Sequence, residues 1–315
     1  MIPGLSKYIT REEGVSGKIK KFEVYEVPKY LPSGRGGWYW FLVEREGKTT
    51  HQLIGEIASS LGIGERDVGY AGLKDKNART FQWFSTPVDP SSLPLKIHVI
   101  GKCEKKIKIG NLLGNWFRIV METSEPRRVA EILQKLQDGV PNGFGPQRFS
   151  RANHVIGKLL IEGKRERAIE MMKRYRIPLK KHFFIFMESA YTSYLFNKVL
   201  NMRIPIKEKL DGDIVGRFGP TGPIYGRKVP LASGFQGEIE RKVLEEENIS
   251  LEMFRNKGRR RPLFVPFHGL SFRIRSKEIE FKFFLPKGSF ATMVLREVLK
   301  ENFTWPFLSF SFSSS

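Results

Sequence analysis

The side chains best suited to chemistry in this sequence lie in GYAGLKDKNARTFQW, residues 69 to 83. Asp75 stands there between Lys74 and Lys76, with Arg79 four residues further on. If the segment is extended, successive side chains point to opposite faces, so the lysines project to one side and the carboxylate to the other. Nearby positive charge favours the ionised carboxylate, which a nucleophile or a general base requires. The spacing therefore indicates a reactive carboxylate beside an anion-binding face, and its alternative is a turn acid in a Gly/Lys-rich loop.

The charge of the chain favours a polyanionic partner. The 54 Lys and Arg residues exceed the 33 Asp and Glu residues, which leaves a formal net charge of +21. A membrane surface would need a basic amphipathic helix, but the basic residues are spread through predicted strands, turns and helices alike. The sequence has no apolar run of about 18 residues that could span a bilayer. We therefore expect nucleic acid, and no membrane, as the partner.

Several classes of catalytic site are disfavoured by the sequence. Cys103 is the only cysteine, and the five histidines are scattered without metal-ligand spacing, so we expect no metal site. A GxxxxGK[ST] loop is absent, and SGRGGW, residues 33 to 38, leads into a predicted strand, so we expect no nucleotide cofactor. The lack of GxSxG disfavours a serine hydrolase. A single cysteine and an N-terminus without the apolar core of a signal peptide predict a cytoplasmic protein.

The hydrophobic periodicity predicts a mixed α+β architecture. Strand patterns occur before residue 122 and again after about residue 270, whereas residues 152 to 202 are typical of nearly continuous helix. The chain is thus expected to leave a β-rich domain and return to it. Strands are predicted at 22–27, 38–43, 79–85, 95–100, 115–121 and 278–285, and helices at 51–61, 126–137, 187–202 and 289–301, the last capped by Ser289.

Six blocks of the sequence occur in the same order as in one known family. YAGLKDKNARTFQW resembles the signature of the TruD-type tRNA pseudouridine synthases, whose pattern is close to AGLKDKxAxTxQ. PNGFGPQRFS, residues 141 to 150, is similar to the family's PNYFGxQRFG, and ESAYTSYLFN, residues 188 to 197, to its SAxxSxLFN. PTGPIYGRK, GRRRPL and LPKGSFATMVLRE resemble three further blocks. Together the blocks span nearly the whole chain, which chance would not reproduce.

The resemblance implies a pseudouridine synthase catalytic domain with a mixed, mainly antiparallel sheet and flanking helices, interrupted by a TruD-type α/β insertion domain. The catalytic domain is expected at residues 1–167 and 267–315, and the insertion at residues 168–266. Members of the family isomerise uridine to pseudouridine in tRNA, typically at position 13 of the D arm, without a metal or an organic cofactor. We therefore expect an isomerase that acts on tRNA, with a monomer favoured.

The resemblance also assigns a uridine site. Asp75 matches the family's catalytic aspartate, Phe144 the aromatic residue that stacks on the base, and Asn142 the active-site asparagine. GKIKKFEVYEVP resembles the family's IKxxPEDFxVxEP, in which Phe22 matches the active-site phenylalanine and Lys20 the basic residue near the aspartate. The PED tripeptide is missing here, so Lys20 aligns only if that deletion is allowed.

Two other positions depart from the family pattern. Gly143 stands where the family usually has tyrosine or another large residue, and Trp38 stands where it has histidine. The glycine predicts a more flexible loop beside Phe144.

The remaining basic residues supply candidates for contacts with the RNA backbone, namely Lys74, Lys76, Arg79 and Arg148. Arg148 has a structural ion pair as its alternative. For GRRRPL, residues 258 to 263, a solvated loop and RNA contact are equally open. Arg296, in the last predicted helix, is expected to be buried and paired.

Two other classes of function compete with the synthase. A basic RNA-binding protein or tRNA-folding chaperone without catalysis would keep the charge and the aromatic residues, and the missing PED tripeptide and Gly143 leave room for it. The intact Asp75 within GLKDK argues against that class. Another base-modifying enzyme, such as a methyltransferase, would need a glycine-rich cofactor loop that the sequence lacks.

Overall fold

The structure is a computed structural model that describes residues 2–74 and 78–303. Two expected site residues, Asp75 and Lys76, therefore lie outside the described residues, as does the Ser/Phe-rich tail from residue 304 onward.

The described part of the chain contains both strands and helices. The strands are β1 (Lys18–Pro28), β2 (Trp38–Arg45), β3 (Gly69–Tyr70), β4 (Arg79–Thr86), β5 (Ile97–Cys103), β6 (Leu112–Glu122), β7 (Val140–Pro141), β8 (Val215–Gly216), β9 (Gly219–Ile224), β10 (Arg259–Pro262), β11 (Phe264–Val265), β12 (His268–Arg275) and β13 (Glu278–Pro286). The helices are α1 (Thr50–Leu61), α2 (Pro126–Lys135), α3 (Asn153–Ile161), α4 (Arg165–Arg174), α5 (Lys181–Arg203), α6 (Gly234–Glu247) and α7 (Ala291–Leu299).

The chain divides into two compact units. The sheet unit consists of Ser16–Ala130 and Phe267–Ser289. The helical unit consists of Met1–Val15, Glu131–Pro266 and Phe290–Ser315. These boundaries describe compactness, whereas the expected division at residues 168–266 concerns the family's insertion, so that division stays a prediction.

The sheet unit is built on an 8-stranded sheet. Its strand order is β12-β13-β6-β1-β4-β2-β5, with β3 paired to β4. Neighbouring strands are antiparallel except β1 and β4, which are parallel. Each strand predicted from the sequence is present, and the prediction of an α+β fold with a mainly antiparallel sheet is confirmed.

Strand β1 carries a buried carboxylate on each of its two faces, because Glu23 is 1% exposed and Glu26 is 5% exposed. Phe22, Val24 and Glu26 point to one face, whereas Glu23 and Tyr25 point to the other. Glu26 follows the apolar residues into the interior and is only 5% exposed. The position of this carboxylate is therefore dictated by the strand period, although its chemistry alone would favour solvent.

Helix α1 is fixed at both ends against the same sheet. The Thr49 hydroxyl accepts a hydrogen bond from the Gln52 backbone N–H, and the Gln52 side chain accepts one from the Thr49 N–H. Gly62 ends the helix with φ 64°. Leu53 and Ile57 are fully buried in a core that includes residues of β2 and β4.

The helical unit divides the expected run of helix at 152–202 into α3, α4 and α5. Gly163, at φ 77°, follows α3 and allows the chain to turn. Within α3, a Cβ added to Gly157 would lie 2.0 Å from the Met187 carbonyl oxygen of α5. Only glycine permits so close an approach of the two helices, and the Leu195 and Phe196 side chains of α5 then fill the core.

The expected cap of the last helix by Ser289 is wrong. Helix α7 begins one residue later than a Ser289 cap would allow, with Phe290 as its N-cap and no side-chain capping bond. The Ser289 N–H instead closes the preceding turn by donating to the Pro286 oxygen. By contrast, Arg296 is buried and lies 3.3 Å from the Glu297 carboxylate, so the prediction of a buried and paired arginine is confirmed.

Candidate active site

Phe144 lies in the helical unit with its backbone and its ring both held in place. Asn197 of α5 accepts a hydrogen bond from the Phe144 N–H at 2.9 Å and donates its side-chain N–H to the Phe144 oxygen at 3.1 Å. The Phe144 ring meets Phe196 edge-on at 5.7 Å between centroids, and Phe290 at 6.0 Å. Sequence reasoning missed Asn197, although it is the last residue of the ESAYTSYLFN block that resembles the family.

Asn142 is 3% exposed, and its side chain forms hydrogen bonds with other groups of the protein. Its Nδ2 donates to the Pro262 oxygen at 2.9 Å, and its Oδ1 accepts from Arg261 Nη2 at 2.6 Å. Its backbone oxygen also accepts from Arg261 Nε at 3.1 Å. In this structure Asn142 thus orients a guanidinium beside Phe144.

Arg261, which the sequence offered only as one of three arginines in GRRRPL, lies beside Phe144. Its guanidinium lies 4.4 Å from the centroid of the Phe144 ring. Burial, together with the neighbouring charges of Arg259 and Arg148, lowers the pKa of Arg261 to about 9. Three arginines therefore lie close together here although burial and mutual repulsion both disfavour their charges. Strongly shifted pKa values of this kind are typical of functional sites.

The arginine run in GRRRPL is not a solvated loop, because residues 259–262 form strand β10. Arg259 is exposed, Arg260 pairs with the buried Glu240 at 2.8 Å, and Arg261 turns towards Phe144. The alternation of a strand was the signal that could have separated these roles.

Arg148 lies near the same aromatic group. Its guanidinium is 4.6 Å from the Phe186 ring centroid and 5.9 Å from that of Phe144. It donates to the hydroxyls of Ser189 and Ser193, the latter at 3.2 Å. Burial and the charge of Arg259 lower its pKa to about 10. Among the described residues no carboxylate forms an ion pair with Arg148, so the structural ion pair considered for it is absent there.

Lys20 and Phe22 lie on β1 of the sheet unit. Lys20 is the extra residue of a β-bulge, because the register with β6 shifts between Ile19 and Lys21. Its ammonium lies 2.7 Å from Glu122, and its side chain is 43% exposed. The Phe22 ring packs edge-on against Phe117 at 6.1 Å. The structure therefore pairs Lys20 with a carboxylate that sequence reasoning did not predict.

The described residues that flank Asp75 are strongly connected to the sheet unit. Lys74 Nζ lies 2.5 Å from Glu26 Oε2, and the lysine side chain is only 9% exposed. Arg79 pairs with Glu44 and, at 3.3 Å, with Glu23. Both cations were candidates for phosphate contacts, and both are engaged by carboxylates in this structure.

The described residues contain neither a metal-ligand cluster nor a membrane-spanning helix. No group of three or more His, Cys, Asp or Glu side chains among them is arranged to hold a metal ion. Within the same residues, no helix has the length and apolar character needed to cross a bilayer.

Comparisons with known proteins agree on one family. The family model for tRNA pseudouridine synthase D (TruD) matches residues 3–182 and 215–298. The chain belongs to the TruD family of tRNA pseudouridine synthases.

Relatives cover nearly all of this TruD chain. The tRNA pseudouridine synthase D of a Thermus thermophilus strain is 33% identical over 91% of this chain and 90% of its own. That of an Anaeromyxobacter dehalogenans strain is 34% identical over 93% of this chain and 96% of its own. The crystal structure of a Methanosarcina mazei protein assigned to TruD has a TM-score of 0.75 at 25% identity, over 94% of this chain and 96% of that one.

Within the TruD framework, the structure brings together Asn142, Phe144, Arg148 and Arg261 in the helical unit. It places Lys20, Phe22, Lys74 and Arg79 in the sheet unit. The resemblance found in the sequence motifs is confirmed at the level of the family, whereas the role of each residue stays a prediction.

Proposed function

We propose that this protein converts uridine to pseudouridine at position 13 in the D arm of tRNA, with Asp75 as its essential carboxylate. The observation that carries the proposal is the match of the TruD family model across the segment that contains an intact GLKDK sequence. A protein that had kept only RNA binding would be under no chemical requirement to retain an acid among three basic residues.

The reaction is an isomerisation and needs no external reactant. The N1–C1′ bond breaks, the uracil turns within the site, and a C5–C1′ bond forms. The proton leaves C5 and N1 takes up a proton, so that atoms and electrons balance. An ionised carboxylate serves by attack on the sugar carbon, by stabilising that carbon or as a base towards it, and each route requires the negative charge of Asp75.

The uridine must leave its stack before its sugar carbon is reached. Phe144 supplies the stacking platform in our proposal, and aromatic stacking is normally worth about 1–3 kcal/mol per base. The family motifs support uridine-binding roles for Asn142, Phe22 and Lys20 as well. The arrangement of Arg261 over the Phe144 ring supports this role, because it fixes the platform before the base arrives.

The tRNA body is bound through its phosphates in this proposal. Lys76 and Arg148 are the favoured backbone contacts, with Arg79 and Lys74 as candidates that would first have to leave their carboxylate partners. The net charge of +21 supports strong electrostatic association. We further propose a cytoplasmic monomer that works without a cofactor.

The decisive experiment measures tritium release from tRNA labelled at C5 of uridine, under single-turnover conditions and with tRNA binding followed in parallel. Asp75→Asn should abolish release and leave tRNA affinity similar or slightly higher. Phe144→Ala should slow turnover without abolishing it. Asp138→Asn, the same change at an exposed aspartate, is the matched control and should release tritium normally.

Each part of the proposal has its own contrary result. Substantial release by the Asp75→Asn protein would remove Asp75 as the essential group. Conversion at a nucleotide other than position 13 would overturn the assignment to that site. Tight tRNA binding by the unaltered protein with no conversion at any uridine would favour the chaperone function.

A further inference from the structure

Two interactions inside the sheet unit hold the chain immediately before Asp75. We propose that Glu26, Thr50 and Gln82, here called the loop clamp, position the catalytic segment by fixing residues 72 to 74, and that Lys74 acts through this clamp and not as a phosphate contact. The inference rests on the proposed catalytic role of Asp75, the residue that follows Lys74 in the sequence.

The charged half of the clamp is a buried ion pair. Lys74 Nζ lies 2.5 Å from Glu26 Oε2, with side-chain exposures of 9% and 0%. Both carboxylate oxygens of Glu26 are buried, and the ion pair with Lys74 is not accompanied by a hydrogen bond to either oxygen from the described residues. Burial raises the pKa of Glu26, while the charges of Lys74 and Arg45 oppose that rise. Lys74, together with Arg45, thus favours the ionised form of this buried carboxylate against the cost of its burial.

The neutral half of the clamp holds the backbone on both sides of residue 73. The Lys74 N–H donates to Thr50 Oγ1 at 3.0 Å, and the Thr50 hydroxyl donates to Gln82 Oε1 at 3.2 Å. Gln82 Nε2 in turn donates to the Gly72 oxygen at 2.6 Å. Thr50 and Gln82 are 1% and 0% exposed, so water does not compete for these bonds.

The clamp joins three elements at one place. Glu26 comes from β1, Thr50 begins α1, and Gln82 lies on β4. Strands β1 and β4 are adjacent and parallel, with Val24 opposite Thr80, so Glu26 and Gln82 lie on the same face of neighbouring strands. A segment tied to all three elements has its direction fixed where it enters the sequence around Asp75.

A buried ion pair is poor evidence for stability, since apolar replacements are often as stable. A pair that fixes the geometry of a reactive segment has a different use. A shift of about 1 Å in the position of a reacting group lowers the rate by as much as about 100-fold. The Lys74 side chain is only 9% exposed, so it differs from the surface cations that contribute to the net charge of +21. A phosphate would have to remove this ammonium from Glu26 and leave the buried carboxylate without its lysine partner.

The test compares Lys74→Met, Glu26→Gln and the double variant by single-turnover pseudouridine formation at saturating enzyme. We expect Lys74→Met and the double variant to fall about 10- to 100-fold in rate. Glu26→Gln, whose amide oxygen still receives the ammonium, should fall less. The tRNA dissociation constant and its salt dependence should stay unchanged in all three. A phosphate contact would instead weaken binding and lower the salt slope by about one unit for Lys74→Met, and that result at an unchanged rate would overturn the proposal.

A matched control separates positioning from loss of stability. Asp213→Asn weakens another buried ion pair, between Arg203 and Asp213 at 2.7 Å with both side chains fully buried, in the helical unit. It should lower the melting temperature as Lys74→Met does, yet leave the single-turnover rate near that of the unaltered protein. An equal loss of rate in the Asp213→Asn protein would mean that the loss in Lys74→Met reflects instability, and would overturn the positioning role.

A second measurement does not depend on activity. Amide hydrogen exchange of the peptide that contains Lys74 should accelerate by up to about tenfold in Lys74→Met and in Thr50→Val, each of which removes one held group. Unchanged exchange in both variants would refute the clamp even if their rates fall. If the unaltered protein formed no pseudouridine while exchange changed as expected, the proposed function would fail and the clamp would stand as a structural device.

Discussion

The Arg261 guanidinium lies 4.4 Å from the centre of the Phe144 ring, and a nitrogen of the same group donates to Asn142 Oδ1 at 2.6 Å. Arg261 lies on β10 and Phe144 lies in the loop after β7, so the two residues are far apart in the sequence. A cation over an aromatic ring contributes about 0.5–2 kcal/mol, with the larger value where water is excluded. The contact therefore fixes the ring that we propose as the stacking platform.

Arg261→Met should weaken capture of the uridine, because it removes both the cation over Phe144 and the bonds that orient Asn142. We expect the enzyme concentration that gives half of the maximal single-turnover rate to rise about tenfold, which corresponds to about 1.4 kcal/mol of binding free energy. Arg261→Lys should recover only part of it, since a lysine lacks the planar fork. Arg167→Met, which removes an exposed arginine of α4, is the control for charge alone. Equal effects at positions 261 and 167 would show that charge and not ring support is responsible.

Arg148→Met should reduce the salt dependence of tRNA binding, because Arg148 has no carboxylate partner among the described residues and would release a counterion on contact with phosphate. The slope of log K against log salt should fall by about 0.9. Arg79→Met should change the slope much less, since Glu44 and Glu23 already neutralise that arginine. Filter binding over a salt series measures both. A larger change for Arg79 than for Arg148 would contradict this assignment.

Gly143 lies in a packed position. The lack of a side chain there leaves space for the neighbouring side chains, in addition to the flexible loop expected from a glycine. A Cβ there would lie 3.0 Å from Met293 Cε and 3.1 Å from Leu5 Cδ2. Gly143→Ala should cost at most about 1 kcal/mol, because both contacts are ends of flexible side chains, whereas Gly143→Tyr should overpack the site by about 1–3 kcal/mol or more. Urea unfolding measures the difference. Combining Gly143→Tyr with Met293→Ala should restore stability, and a strictly additive double variant would show that the two positions do not compete for space.

Glu247 should make the stability of the protein depend on pH in the acid range. Burial alone would raise the pKa of its carboxyl, but hydrogen bonds from Lys158 and Lys198, each at 2.8 Å, outweigh it and lower the pKa to about 2. Because the folded pKa lies below the usual value near 4.5, the stabilisation is complete above that value and is lost as the pH falls towards 2.

Glu247→Gln should therefore destabilise the protein by about 1–3 kcal/mol at pH 7 and by progressively less as the pH approaches 2. Thermal unfolding at several pH values provides the measurement. Glu246→Gln, at the neighbouring and more exposed glutamate that pairs with Lys198 at 2.9 Å, is the control and should have a small effect at every pH. A difference between Glu247→Gln and the unaltered protein that did not change with pH would contradict the depressed pKa.

The sequence by itself determined the elements and the family. Alternation in FEVYEV and RTFQWFS predicted β1 and β4, and the apolar stripe of residues 51 to 61 predicted α1, because these signals are local and periodic. The ordered motif blocks identified the TruD family, which the family model and the relatives confirm. The predicted roles of Asp75, Phe144, Asn142, Phe22 and Lys20 come from those same motifs and await the experiments above.

Only the tertiary structure decided which charges are buried and with which partners. Lys74 looked like a surface cation in GLKDK, yet it meets Glu26 because parallel pairing brings β1 beside β4. Arg260 and Arg261 are neighbours in one basic run, yet the first pairs with Glu240 and the second supports Phe144. The state of a charged side chain depends on the groups that surround it after packing, and those groups come from distant parts of the chain. No local pattern in the sequence contains that information.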